Sequence, residues 1–416
     1  MLSRRTLLRN MAAAGSLGLL PQRLQAAPAD PSGRKFLFVF AWGGWDPTWV
    51  FAPMFDSPFV DMDPMGEPYS VGGLTVVDGP DRPAVRTFFD RYATQSCILN
   101  AFEVRSVTHE RCRRLLMTGN VSSADDWPSI LAGSASGYTL PHLVVSGPAY
   151  TSQYTTSVMR LGETGQFATL LDGTALLSSE QRAMPLVGDT QTAVDQFLAQ
   201  RIADFEARAG IGRAQRFAAD LSSSSAQTEL VRHLGNVDLS VQLNGITPIS
   251  ELVKPALACF EAGHSRCAIV AHEGQYNIPW DSHSNIADQA RHYESLFGDL
   301  LQIMNELETR RSPSGRLLSE EVVVVLCSEM GRGPRTNATG GKDHWTFTSA
   351  MFVGPGVRGG QVLGAYDENL LGMPVDLETG IASETGTLLS AENFGATVLA
   401  LADLDADAEP VTGLLA

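Results

Sequence analysis

Glu321-Val322-Val323-Val324-Val325-Leu326-Cys327-Ser328-Glu329-Met330-Gly331-Arg332 is the stretch on which the fold turns. A continuous β-branched run predicts a strand buried on both faces, because a strand with one wet face alternates apolar and polar residues. The run stops abruptly in Ser, Glu, Gly, Arg, Gly, Pro and Arg, and the glycine-rich Gly340-Gly341-Lys342-Asp343-His344-Trp345 follows. Open α/β sheets bind ligands just beyond the carboxyl ends of their strands. Two earlier strands end in the same style. Phe36 to Phe40 runs into Trp42-Gly43-Gly44-Trp45-Asp46, and Cys267 to Ala271 into a loop bearing Trp280-Asp281-Ser282-His283-Ser284-Asn285. Three strand ends therefore offer one site assembled from distant sequence.

Working outward, further strands are expected at 96–100, 142–146 and 350–353, and helices at 82–91, 249–262, 286–309 and 391–401. Thr108 reads as the N-cap of a helix that opens at Val107-Thr108-His109-Glu110-Arg111 and stops at Gly119. This alternation predicts an α/β fold, a mostly parallel sheet with helices on both faces. Asp46 to Gly79 has no sustained period and reads as a long surface excursion. Helical patterns at 193–209, 213–221 and 226–234, separated by Ser-rich and Gly-rich breaks, predict a helical insertion or cap over about residues 150–245 of a single domain spanning 28–416.

The chain has 30 Lys+Arg against 46 Asp+Glu in 416 residues. That balance argues against sequence-independent binding to nucleic acid or anionic lipid, which needs a basic surface. Residues 1–27 read as a targeting segment: Ser3-Arg4-Arg5-Thr6-Leu7-Leu8 resembles a twin-arginine export signal and precedes a short apolar stretch. The twin-arginine translocase is the expected partner in export, and the periplasm or exterior the expected location. Nothing later reaches the length of a membrane span. Five cysteines without a C-x-x-C argue against a thiolate metal site. Cys97, Cys267 and Cys327 read as small buried hydrophobes, and one disulfide, involving Cys259, stays open.

Asp281-x-His283 and Asp343-His344 are carboxylate–imidazole pairs on loops at strand ends. Asp, Glu and His without Cys suit a divalent ion such as Zn, Mn, Mg or Ca, as one or two ions. Such an ion polarises a phosphoryl or sulfuryl oxygen, and Arg332 and Arg335 suit the non-bridging oxygens of an ester anion.

Trp280-Asp281-Ser282-His283-Ser284-Asn285, Ser328-Glu329-Met330-Gly331-Arg332 and Gly340-Gly341-Lys342-Asp343-His344-Trp345 resemble an uncharacterised family of exported bacterial proteins related to the alkaline phosphatase/sulfatase superfamily. The resemblance covers essentially the whole mature chain and implies an alkaline-phosphatase-like domain. It implies that Asp46 and Glu329 bind one metal and that Asp281, His283 and His344 bind the other. Ser106 or Thr108 takes the place of the nucleophile, Arg332 that of a catalytic cation, and His109, Arg335 and Lys342 face the substrate. Two departures stand out: Glu329-Met330 occupies a usual Asp-His, and the Cys-x-Pro-x-Arg sulfatase signature is missing. The expected function is an exported metal-dependent hydrolase of phosphate or sulfate esters, acting on an anionic ester substrate or periplasmic glycan. The alternative is a non-catalytic binding or assembly protein with a degenerate site.

Overall fold

The computed structural model describes residues 33–122, 124–162, 188–232, 237, 239, 247–275 and 277–416. The expected leader, residues 1–27, lies outside them, as do parts of the expected 150–245 insertion.

Eight strands form the central sheet: β1 (Lys35–Ala41), β4 (Ser96–Glu103), β5 (His142–Val144), β6 (Val158–Arg160), β7 (Cys267–His272), β8 (Val322–Ser328), β11 (Phe347–Val353) and β12 (Gln361–Leu363). Three further pairs of strands form two-stranded sheets: β2 (Glu67–Val71) with β3 (Leu74–Asp78), β9 (Gly331–Thr336) with β10 (Lys342–Trp345), and β13 (Ala365–Tyr366) with β14 (Gly372–Met373). The sheet order is β12-β4-β11-β8-β1-β7-β5-β6. Among the described residues β11 alone opposes its sheet neighbours, β4 and β8. The reason is connection length: β9 and β10 turn back at the carboxyl end of β8, and a chain returning without a crossover helix must run antiparallel.

Strand alternation along β1 divides the core. Leu37 and Val39 face a layer containing Phe88, Phe89, Tyr293 and Phe297, whereas Phe36, Phe38 and Phe40 face one containing Leu116, Trp127, Phe394 and Val398. The first layer is covered by α1 (Pro83–Tyr92) and the 22-residue α8 (Asp288–Thr309), which buries Tyr293, Leu296, Phe297, Leu300, Ile303, Met304 and Leu307 at helical spacing. The second is covered by α2 (His109–Thr118), α3 (Trp127–Gly133) and α9 (Ala391–Ala400). The helices therefore lie on both faces, as the strand–helix alternation predicts.

Several local expectations are corrected. Residues 46–79 are a surface excursion only in part: residues 53–73 lie mostly at the surface, whereas Trp49, Val50, Phe51, Leu74, Val76 and Val77 are buried, in elements too short to leave a sustained period. The pattern at 249–262 is two helices, α6 (Ile249–Leu252) and α7 (Lys254–Glu261), with Pro255 in the first turn of the second, where its missing N–H costs nothing. Within the expected insertion, α4 (Gly188–Arg208) is followed by one helix, α5 (Arg213–Arg232), which runs through Ser222 to Ser225 instead of breaking there. Serine lowers helix propensity by only about 0.5 kcal/mol per residue, too little to end a helix. All five cysteines are buried and free, so no disulfide involves Cys259.

Candidate metal centre

Register places the functional loops together. Ala41 lies beside His272 on one side and Ser328 on the other, so β7, β1 and β8 end at one level. Glu329 follows immediately and accepts the Gly43 N–H on both carboxylate oxygens, at 3.0 and 3.1 Å. Gly43 has φ +128°, and a Cβ there would lie 3.0 Å from the Asp281 nitrogen, so this crossing of loops requires glycine. Gly341 serves the same purpose in β9–β10: a Cβ would fall 2.1 Å from the His283 carbonyl carbon. That close approach seats the hairpin, with Asp343 and His344, against the 281–283 loop.

Asp281 is the hub. Its Oδ1 lies 3.1 Å from His344 Nε2 and 3.3 Å from His283 Nε2, and its Oδ2 lies 3.3 Å from His109 Nε2. His109 is the first residue of α2, an element separate from those that carry Asp281 and His344. The opposite nitrogen of each ring is tied to an oxygen. His344 Nδ1 donates to the Val107 carbonyl at 2.7 Å, His283 Nδ1 meets Asp343 Oδ1 at 3.3 Å, and His109 Nδ1 meets Glu329 Oε1 at 3.1 Å. Oxygen acceptors on Nδ1 fix both tautomer and ring orientation, leaving Nε2 as the ligating atom. Three imidazole nitrogens and a carboxylate thus converge from three separate segments of the chain. Ligand atoms of His109, Asp281 and His344 lie within 4.8 Å of one another, a group that could hold a metal ion, with His283 at its rim. The donor chemistry, nitrogen and carboxylate without sulfur, fits a borderline divalent ion best.

Charge is concentrated here. Burial alone would raise the pKa of Asp281, but His109, His344 and Arg332 hold it well below the usual carboxylate range. Hydrogen bonds first to Asp281 and then to Glu329 push His109 up to about 9. His109 is therefore a cation between two carboxylates when its Nε2 carries a proton, and a metal ion would compete with that proton for the same atom.

Other expected site residues sit elsewhere. Asp46 is not brought to the cluster: it is buried, accepts from Lys342 Nζ at 2.8 Å, and caps the Pro47–Trp49 turn through the Thr48 N–H at 3.0 Å. The ammonium group fills the place a cation bound by Asp46 would take, and the same pair removes Lys342 from any substrate. Glu329 lies behind His109 and positions it. Arg332 is fully buried and donates to the carbonyls of Gly43 and Gly44 and, at 2.7 Å, to Asp281 Oδ1, so it fastens loops together instead of facing an anion. Arg335 is paired with Asp61 at 2.8 Å. Thr108 is exposed, and its side chain makes no capping bond; its Oγ1 lies 3.4 Å from Ser106 Oγ.

One residue is added: Arg113, one turn after His109 on α2, lies over the Trp42 ring at 4.3 Å with Nη1 3.7 Å from Glu329. The spacing His109-x-x-x-Arg113 was the available signal, since residues four apart share a helix face. Beside Thr108, a cleft of about 420 Å³ is lined by Glu110, Arg111, Arg114 and Val121. Trp45 and Trp280 belong to the core, while Trp42 and Trp345 are half-buried at the strand ends.

The model of the family described as protein of unknown function DUF1501 matches residues 83–412. The chain belongs to the DUF1501 family. No curated protein matches this DUF1501 chain. Among solved structures it is similar to a sulfatase from Pseudoalteromonas sp., at 12% identity and TM-score 0.36, covering 92% of this chain and 72% of that one. It is also similar to a phosphonate monoester hydrolase of Agrobacterium radiobacter, at 12% identity and TM-score 0.35, covering 92% and 77%. A third likeness is to a protein solved with its substrate D-glucosamine-2-N,6-O-disulfate, at 8% identity and TM-score 0.36, covering 92% and 80%. At these scores the likenesses assign no chemistry to the DUF1501 chain, and its fold class rests on its own sheet topology.

Proposed function

We propose that this chain is a metal-dependent hydrolase of phosphate or sulfate esters. The observation that carries the reading is the convergence of three Nε2 atoms on Asp281, each ring fixed from behind by an oxygen acceptor. Among the described residues His109, Asp281, His283 and His344 would hold a divalent ion. When bound, such an ion supplies Lewis-acid polarisation of an ester oxygen and favours ionisation of an adjacent hydroxyl. The chain supplies the rest. Thr108 presents a hydroxyl at the mouth of the cleft, adjacent in sequence to His109. Its Oγ would bond to phosphorus or sulfur as the ester oxygen leaves, and water would later release the acid. Arg111 and Arg114 line the neighbouring cleft, where their guanidinium groups suit the charge of an anionic ester or sulfated or phosphorylated glycan. The Arg4-Arg5 leader pattern supports export by the twin-arginine route to the periplasm or beyond.

A second reading, a binding protein without turnover, is favoured by one observation: Lys342 neutralises Asp46, so the second ion of a paired-metal site lacks that ligand. The two readings separate in one experiment. The purified chain is loaded with Zn, Mn, Mg or Ca and offered aryl phosphates and aryl sulfates. Ester cleavage that vanishes with chelator supports the hydrolase; tight ion binding without cleavage of either ester class supports the binding protein.

A further inference from the structure

Between β4 and α2 the chain turns through Arg105, whose φ of +59° lies in the left-handed region that glycine ordinarily occupies. A non-glycine residue persists there only where its surroundings determine it. Two contacts do so. Val104, just before it, is buried and donates its N–H to the Thr346 carbonyl at 2.8 Å. The Arg105 guanidinium pairs with Glu392 in the first turn of α9. Glu103 bridges Ser390 in parallel, and Arg105 and Glu392 each lie two residues further on. Glu392 Oε2 is sealed from solvent with no hydrogen-bond partner among the described residues, which leaves Arg105 as the cation that accompanies this carboxylate. The Glu392 stem lies against Gly119, where α2 ends: a Cβ there would sit 3.1 Å from Glu392 Cγ. The pair thus ties the turn before α2 to a residue beside the end of the same helix.

The turn carries part of the metal centre. Two residues after Arg105, the Val107 carbonyl accepts from His344 Nδ1 at 2.7 Å, the bond that aims His344 Nε2 at Asp281. Thr108 and His109 follow at once. Burial does not fix this stretch, since Val107 is 50% exposed and Thr108 is exposed. Ser106 Oγ accepts the Thr108 N–H at 3.3 Å, but that bond is internal to the turn and anchors it to nothing else. The far end is held where His109 meets Asp281 and Glu329. The near end is held at Arg105. We infer that Arg105 is a positioning residue: its pair with Glu392 keeps the Val107 carbonyl behind His344, and so sets the direction in which that ring offers Nε2. An outer partner of this kind fixes tautomer and ring orientation. The consequence for ion binding rests on His344 being a ligand, as proposed above; the consequence for the ring does not.

Arg105→Gly removes the guanidinium while leaving the left-handed turn accessible to the backbone, so far-ultraviolet circular dichroism should be unchanged. The deciding measurement is the histidine nitrogen-15 spectrum of the ion-free full chain at alkaline pH, with His344 assigned by its loss in His344→Ala. In the parent, His344 should carry its proton on Nδ1; in Arg105→Gly its resonances should move towards a mixture of the two tautomers. Arg105→Lys, which keeps a cation within reach of Glu392, should restore the parental signals. Calorimetry on the same chains should show ion affinity about tenfold lower in Arg105→Gly and recovered in Arg105→Lys. Parental His344 resonances in Arg105→Gly would overturn the role of Arg105, and so would a lysine variant as displaced as the glycine one. Should Arg105→Gly not fold, Glu392→Gln removes the pair from its other side and is read in the same way. A parent that binds no ion would count against the metal centre alone, because the ion-free spectra still decide whether Arg105 holds the ring.

Discussion

The Nε2 atoms of His283 and His344 stand 2.9 Å apart, with Asp281 Oδ1 within 3.3 Å of both. Val107 O and Asp343 Oδ1 can only accept, so each ring places its proton on Nδ1 when neutral. Two lone pairs at that separation repel unless positive charge lies between or beside them, as a shared proton or a metal ion. The carboxylate of Asp281 adds to that demand. From this arrangement the ligand roles can be separated by substitution.

Asp281→Asn keeps a hydrogen-bond acceptor for Arg332 but removes the charge on which the three imidazoles converge. Ion affinity measured by calorimetry should fall by more than about 100-fold, beyond what loss of an outer partner costs, and the melting temperature should fall as well, because buried Arg332 loses its carboxylate partner. Unchanged affinity would place the ion elsewhere.

Asp343→Ala tests the outer layer, because Asp343 touches His283 and Asn337 and is otherwise exposed. It should lower ion affinity by about 10-fold through loss of ring orientation, with little effect on stability. Equal affinity in variant and parent would show that His283 is oriented by other contacts or does not ligate.

Lys342→Met leaves the buried Asp46 carboxylate with Thr48 alone, and unfolding by denaturant should report a loss of about 3–5 kcal/mol. Adding Asp46→Asn should recover a large part of it. A Lys342→Met chain of parental stability that binds a further ion at Asp46 would restore the paired-metal arrangement.

Thr108→Ala should cost under about 0.5 kcal/mol, because the side chain makes no capping bond. Turnover should nevertheless be abolished if the hydroxyl attacks the ester. Full activity in the variant would pass that role to Ser106 or to water.

His142, wholly buried in β5, is pushed by burial from 6.5 down to about 3. It stays neutral in the folded chain through a range where the unfolded chain takes up a proton. Stability therefore falls as pH drops below 6.5 towards 3, with His142 contributing about 1.4 kcal/mol per pH unit. His142→Leu should lose that part of the slope in urea titrations across this range; an unaltered slope would contradict it.

How far these features were legible in the sequence differs by kind. The core strands were legible because Val322 to Leu326 and Phe36 to Phe40 are buried on both faces and carry no polar interruption. The cluster Asp281, His283 and His344 was legible as residue types at strand ends. What sequence hid was competition. Asp46 has ligand chemistry, but Lys342, almost 300 residues away in sequence, reaches it first. Arg332 has anion-binding chemistry, but backbone carbonyls and Asp281 occupy its donors. His109 read as a residue at the substrate side, and its membership of the centre follows from the tertiary placement of the start of α2 beside Asp281, which no local pattern encodes.

The most direct test of the metal centre is elemental analysis of the purified chain after loading with Zn or Mn and desalting, alongside His344→Ala. His344 touches Asp281, His283 and Val107 without contributing to the buried core, so its loss should spare the fold. About one ion per parent chain is expected, set by one cluster of ligands, and far less in the variant. Equal metal content in both chains, or none in the parent under any loading condition, would contradict it.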